Sequence, residues 1–462
     1  MTSRTFAVVL SPLFLAPAVA AQWAQLSPAS APGALSAPGL TFDYRIGRLL
    51  LFGGAPALPA APSNETWAFD GTTWARLQPV AAPGGRAAAA LVHDLGRSVT
   101  VLYGGANPAP FGGPSLDDTW QFDGQTWSRV TTATTPGGLA SMGAAYDLIR
   151  QRTVLYGGTP DSFFPIASNQ TWEFDGSNWT RVTTANSPGP LERPGMCYDV
   201  ARQRVVLFGG IDPQIGGTDQ TWVYDGSNWT ALNVGIQRPP VRTGCQLVYS
   251  ARRGVCVLHG GMNPVNGAPM GDTWEFDGTA WTQIPVAGPS ARQSFALAVD
   301  EVHANLVLFG GELNFAPLGD TWRYGGSYQN LGPGCAGSRG VPQLSAAASP
   351  YLGGPLLLQL ANLDPLSTAA VLLTGFSLTS WNGVPLPANL TSLGLTGCTL
   401  YTAGTLVTVT SAAQGQASFV LAVPLSPILV GQRFYNQAIA IDPAANPAGL
   451  TLSNAGAGTI GR

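Results

Sequence analysis

Short apolar runs punctuate the first two-thirds of the chain, and each ends on a pair of glycines. They read RLLLFGG from Arg48, VTVLYGG from Val99, RTVLYGG from Arg152, RVVLFGG from Arg204, GVCVLHGG from Gly254 and NLVLFGG from Asn305. Apolar runs this short, bounded by turn residues, predict buried strands. After each doublet comes an alternating stretch: TWAF at Thr66, TWQF at Thr119, TWEF at Thr171, TWVY at Thr221, TWEF at Thr273 and TWRY at Thr321. In the first five copies an Asp-Gly pair and a second tryptophan follow. Asp tolerates the left-handed region and Gly supplies positive φ, so the pair predicts a tight hairpin leading into another strand. Upstream of each apolar run lies a small-residue strand such as MGAAYD (Met142–Asp147). Each repeat thus supplies four strands, called a, b, c and d in chain order. The doublets start at Gly53, Gly104, Gly157, Gly209, Gly260 and Gly310, a period of 50 to 53. One such unit cannot bury its own faces, so the copies must stack.

The glycine doublet, the tryptophan after it and the period resemble the Kelch family over roughly Gln22 to Gly326, and that resemblance implies a β-propeller. WAQLSP at Trp23 matches the d-strand starts WARLQP at Trp74 and WTQIP at Trp281, while the last repeat stops on a c strand. The expected fold is all-β: a six-bladed Kelch-type propeller in which the N-terminal d strand completes the sixth blade and removes an open edge. From about Ser327 the repeat ceases. Residues 327–462 carry only Arg339, Arg433, Arg462, Asp364 and Asp442 as charges, and strand-like runs at short spacing predict a C-terminal β-sandwich. This segment resembles modules appended to large secreted bacterial proteins.

Residues 1–21 read as a secretory signal peptide, with Arg4, an apolar stretch from Phe6 to Leu15 and small residues at Ala18 and Ala20. The expected location is therefore outside the cell or on its surface, with no membrane span. Net charge is −3 and all 22 basic residues are arginine, which leaves no basic field for nucleic acid and no lysine for Schiff-base or P-loop chemistry. Among five cysteines, Cys335 and Cys398 are the two in the C-terminal segment and are expected to form a disulfide on export.

The Kelch family includes a copper-radical oxidase and a secreted sialic-acid mutarotase. Copper needs converging imidazoles, whereas His93, His259 and His303 fall on different blades at different depths, so no metal or other cofactor is expected. Most acids recur at equivalent turns, as Asp43, Asp94, Asp147, Asp199 and Asp300 do, and read as structural; Glu192 and Glu312 break the repeat. Arg86, Arg242 and Arg292 each stand 18 residues before a glycine doublet, and Arg193 lies two residues later in its own repeat. In Kelch domains that bind acidic peptides, arginines at this place contact carboxylates, and a guanidinium fork suits that task. The alternative is that each arginine pairs with a carboxylate of the neighbouring blade. The b–c loops carry apolar residues, notably Phe111, Phe163 and Phe315, with Phe164, Ile166, Ile215 and Met270 beside them. The expected site combines these arginines and aromatics around one mouth of the channel, taking a protein or glycan ligand such as an acidic peptide or anionic sugar. The function read from the sequence is a secreted non-catalytic binding or surface scaffold. The alternatives are a carbohydrate-active enzyme of the mutarotase type and a purely structural envelope protein.

Overall fold

In the computed structural model, the described residues are 22–107, 114–160, 166–251, 253–285, 287–303, 305–325, 327–346, 350, 353–424, 426, 429 and 432–460. The expected leader lies outside them. Backbone contacts divide the chain into two compact units. One holds Gln22–Gly326, and the other holds Ser327–Ser345 and Pro350–Arg462.

The first unit is six four-stranded antiparallel sheets. Blade 1 runs Gly39–Asp43, Arg48–Phe52, Thr66–Phe69 and Trp74–Leu77, and blades 2 to 5 repeat that order. Blade 6 consists of Ala296–Asp300, Asn305–Phe309 and Thr321–Gly325, with Gln22–Leu26 as its outer strand. The register Trp23↔Tyr324, Ala24↔Arg323 and Gln25↔Trp322 closes the ring.

The recurring phrase is a set of latches between blades. The second tryptophan of each repeat donates its indole N–H to the threonine that opens strand c of the preceding blade. The pairs are Trp74–Thr321, Trp127–Thr66, Trp179–Thr119, Trp229–Thr171 and Trp281–Thr221, all at 2.9–3.0 Å. Trp23 completes the circle on Thr273 at 3.1 Å. Each indole also packs on the aromatic residue before the preceding blade's glycine doublet, as Trp127 does on Phe52 and Trp179 on Tyr103. A buried indole needs both its apolar contacts and a partner for its N–H, and the Thr-Trp spacing supplies both.

Small residues in the a strands have a packing cause. A β-carbon on Gly39 would stand 2.7 Å from the Leu91 side chain of the next blade, so a larger residue there would force the strands apart where they crowd the axis. The Asp-Gly turns have a second constraint besides positive φ. Gly176 and Gly278 lie directly against the guanidinium groups of Arg97 and Arg202 from the preceding blades, so a side chain there would have to displace the arginine.

The C-terminal unit is one nine-stranded sheet that curls into a sandwich-like half-barrel. Ala369–Gly375 lies mid-sheet between Arg433–Ile441 and Leu406–Ala413. Cys335 and Cys398 are joined in a disulfide, their Cα atoms 4.7 Å apart, within a cluster that includes Leu373, Leu386, Leu400 and Leu452. Cys197, Cys245 and Cys256 are free and buried in the propeller.

Candidate binding face

Antiparallel strand order places the b–c and d–a loops on one face of the propeller and the a–b and c–d turns on the other. At the first face, one residue from each blade joins a closed ring of backbone hydrogen bonds. Ala37 N–H donates to Ser294, Ala88 to Ala37, Ser141 to Ala88, Arg193 to Ser141, Gly244 to Arg193 and Ser294 to Gly244. All six residues adopt φ between 51° and 65°. Left-handed backbone is costly for residues with a β-carbon, and here a complete hydrogen-bonded circle compensates for it. The residue before each ring member pairs with the segment after its blade's glycine doublet, and these pairs include Glu192↔Ile211, Thr243↔Met262 and Gln293↔Glu312.

Three of the four expected arginines are consumed by the fold. Arg86, Arg242 and Arg292 are 2%, 0% and 1% exposed. Each bonds bidentately to the aspartate that precedes a Thr-Trp pair of its own blade: Asp118, Asp272 and Asp320. Each also donates to a carbonyl of the glycine doublet, at 3.0 Å. Burial raises the pKa of these aspartates, but the guanidinium and the neighbouring indole N–H outweigh it and hold the carboxyls below their ordinary range. The expectation that these arginines present free forks to a ligand is therefore corrected. Their donors face inward, to internal carboxylates and carbonyls.

A sequence signal for this existed. The three repeats with the arginine read DDTW or GDTW, whereas the repeats reading NETW, NQTW and DQTW carry Leu35, Leu139 and Leu191 at the arginine's position. Arginine and aspartate occur together and are lost together, as partners should be.

Arg193 differs from the other three. Its side chain is partly exposed in the ring, and it pairs with Glu192 at 3.1 Å. Around it, three adjacent blades raise hairpins. In blade 4, Ile211–Asp212 pairs with Gly216–Gly217; in blade 5, Val255–Met262 pairs with Pro269–Phe276; in blade 6, Glu312–Leu313 pairs with Ala316–Pro317. Their tips carry Ile215, Val265 and Phe315, exposed by 87%, 81% and 87%. Phe111 and Phe163 lie outside the described residues. Phe315 does occupy a loop above the ring; Val265 was not anticipated, since a lone valine in a turn carries no sequence signal.

At the roots of these hairpins lie Glu192, Asp212 and Glu312. Glu312 accepts from Ser36 Oγ at 2.9 Å and Gln293 Nε2 at 3.0 Å. Asp212 accepts the N–H of Gln214. Among the described residues, neither Asp212 nor Glu312 has an arginine or histidine within ion-pair distance.

The axial channel has a volume of about 480 Å³ and is lined by all six a strands, with Tyr44, His93, Tyr146, Tyr198, Tyr249 and Glu301 toward the a–b turns. Tyr44 hydrogen-bonds Glu301. The histidines stay apart. Burial lowers the pKa of His93, and its Nδ1 lies 3.0 Å from Thr100 Oγ1. Burial lowers His259 to about 3, and its ring packs at a tilt on Trp23 where other repeats place Phe or Tyr. His303 pairs with Asp300, which raises its pKa. No group of three metal-ligating side chains occurs among the described residues.

Ring, latches and loop-borne face together define a six-bladed β-propeller whose variable surface lies on the b–c and d–a loops. The model of the KLHDC2/KLHL20/DRC7 Kelch-repeats domain matches residues 123–311. That match and the six-bladed arrangement of Gln22–Gly326 support a Kelch-repeat propeller. A solved structure titled "Structure of YjhT" is 14% identical, covers 64% of this chain and 96% of its own, and has a TM-score of 0.49. No curated protein matches the chain.

Proposed function

We propose that this protein is a secreted, non-catalytic binding scaffold whose b–c/d–a face takes a protein ligand. One observation carries the reading: three adjacent hairpins on a closed, rigid ring each hold an apolar tip, Ile215, Val265 and Phe315, out in solvent. Exposed apolar groups clustered on loops of a rigid scaffold are a common basis of protein recognition. Among the described residues that line the channel, Glu301 is the one carboxylate, and it is hydrogen-bonded by Tyr44, so a mutarotase-type reaction finds no uncommitted carboxylate there. Export rests on the leader read from residues 1–21. A peptide and glycan array probed with the mature protein tests the proposal. The expected result is a peptide ligand whose binding falls at least tenfold when Ile215, Val265 and Phe315 are together replaced by serine. A ligand that the triple variant binds as well as wild type would overturn it.

A further inference from the structure

The charge at this face is the reverse of what the arginines imply in sequence. Arg86, Arg242 and Arg292 are neutralised internally, and Arg193 is matched by Glu192, so the groups left over beneath the hairpins are the carboxylates of Asp212 and Glu312. Beside Glu312 sits Gln293, only 7% exposed. A carboxylate only accepts hydrogen bonds, so the amide nitrogen of Gln293 must face Glu312, and the assignment of its oxygen follows. That oxygen has no partner. It turns toward Gly244, lying 3.2 Å from where a β-carbon would stand, at the one ring position without a side chain. A buried acceptor left unpaired costs free energy until a donor reaches it.

We propose, resting on the scaffold reading above, that the occupant of this face is a peptide segment of a protein partner that presents an arginine between apolar residues. Glu312 receives the guanidinium. The amide oxygen of Gln293 takes a further N–H, which a side chain with five donors can supply and a compact ammonium supplies less readily. Ile215, Val265 and Phe315 hold the flanking apolar side chains. An acidic segment would set its carboxylates against Asp212 and Glu312, while among the described residues Arg86, Arg193, Arg242 and Arg292 are already paired, so like-charge repulsion selects against it.

The test uses the full chain and a fluorescein-labelled peptide, Gly-Phe-Arg-Phe-Gly amide, with a second peptide in which citrulline replaces arginine. Citrulline keeps the shape and loses the charge. Fluorescence polarisation should show saturable binding of the arginine peptide and at least tenfold weaker binding of the citrulline peptide. Glu312→Gln should weaken the arginine peptide at least tenfold and leave the citrulline peptide unchanged, while Phe315→Ser should weaken both. The citrulline comparison needs no variant and so stands even if Glu312→Gln misfolds. The inference is overturned if wild type does not bind the arginine peptide, if citrulline binds equally well, or if Glu312→Gln binds like wild type. An array ligand that depends on Phe315 but lacks a basic residue would sink this inference and leave the scaffold reading standing.

Discussion

At the residue scale, the decisive pairs are hidden in the repeat. Tryptophan recurs because every copy must reach a threonine on the blade before it, and in five copies one phrase holds both halves of the latch, each half serving a different neighbour. The arginines show how a residue type misleads when its partner is ignored. Read alone, Arg242 is a free fork at a rim; read with Asp272, it is the internal brace that blades 3 and 4 replace with Leu139 or Leu191 and a glutamine. This gives a sharp prediction. Arg242→Leu strands Asp272 and should destabilise the propeller by roughly 3 kcal/mol, the low end for breaking a buried pair because Asp272 keeps some contact with water. Adding Asp272→Gln should recover most of that loss, since Gln170 and Gln220 already accept the indole N–H of Trp172 and Trp222 in blades without the arginine. Urea unfolding of the single and double variants decides it. A double variant no more stable than Arg242→Leu would show that the two residues are not partners.

At the element scale, strands, hairpins and ring closure were legible because each rests on local chemistry. Alternation marks strand c, positive φ marks the Asp-Gly turn, and the unpaired d strand at Trp23 has one vacant place to go. The hairpins of blades 4 to 6 were not legible as a group. Ile215 and Phe315 could be assigned to loops of one face, but the tips follow no period, so only the folded ring adds Val265 to them and shows three adjacent hairpins. Closure itself is testable. Trp23→Ala removes an indole that is 6% exposed, together with its bond to Thr273. It should cost about 3–5 kcal/mol, and limited proteolysis should then cut first in Gln22–Leu26 or in the blade 6 strand it covers, Thr321–Gly325. Wild-type stability and an unchanged cleavage pattern would mean that the ring does not depend on this strand.

At the scale of the whole molecule, each unit has its own core. The propeller is held by latches between blades, and the C-terminal sheet by a contiguous apolar cluster around the Cys335–Cys398 bridge. The proposed binding face belongs to the propeller, where the backbone ring fixes the roots of the hairpins and leaves their tips free to differ. Amide hydrogen exchange across the full chain, with and without a ligand selected on the peptide array, tests this account most directly. The account predicts slow exchange throughout Trp23–Leu26 and ligand-induced protection confined to residues 211–217, 262–270 and 312–317. Exchange of Trp23–Leu26 like that of a free terminus, or ligand protection on the a–b turns around Asp43, Asp94 and Asp147, would contradict it.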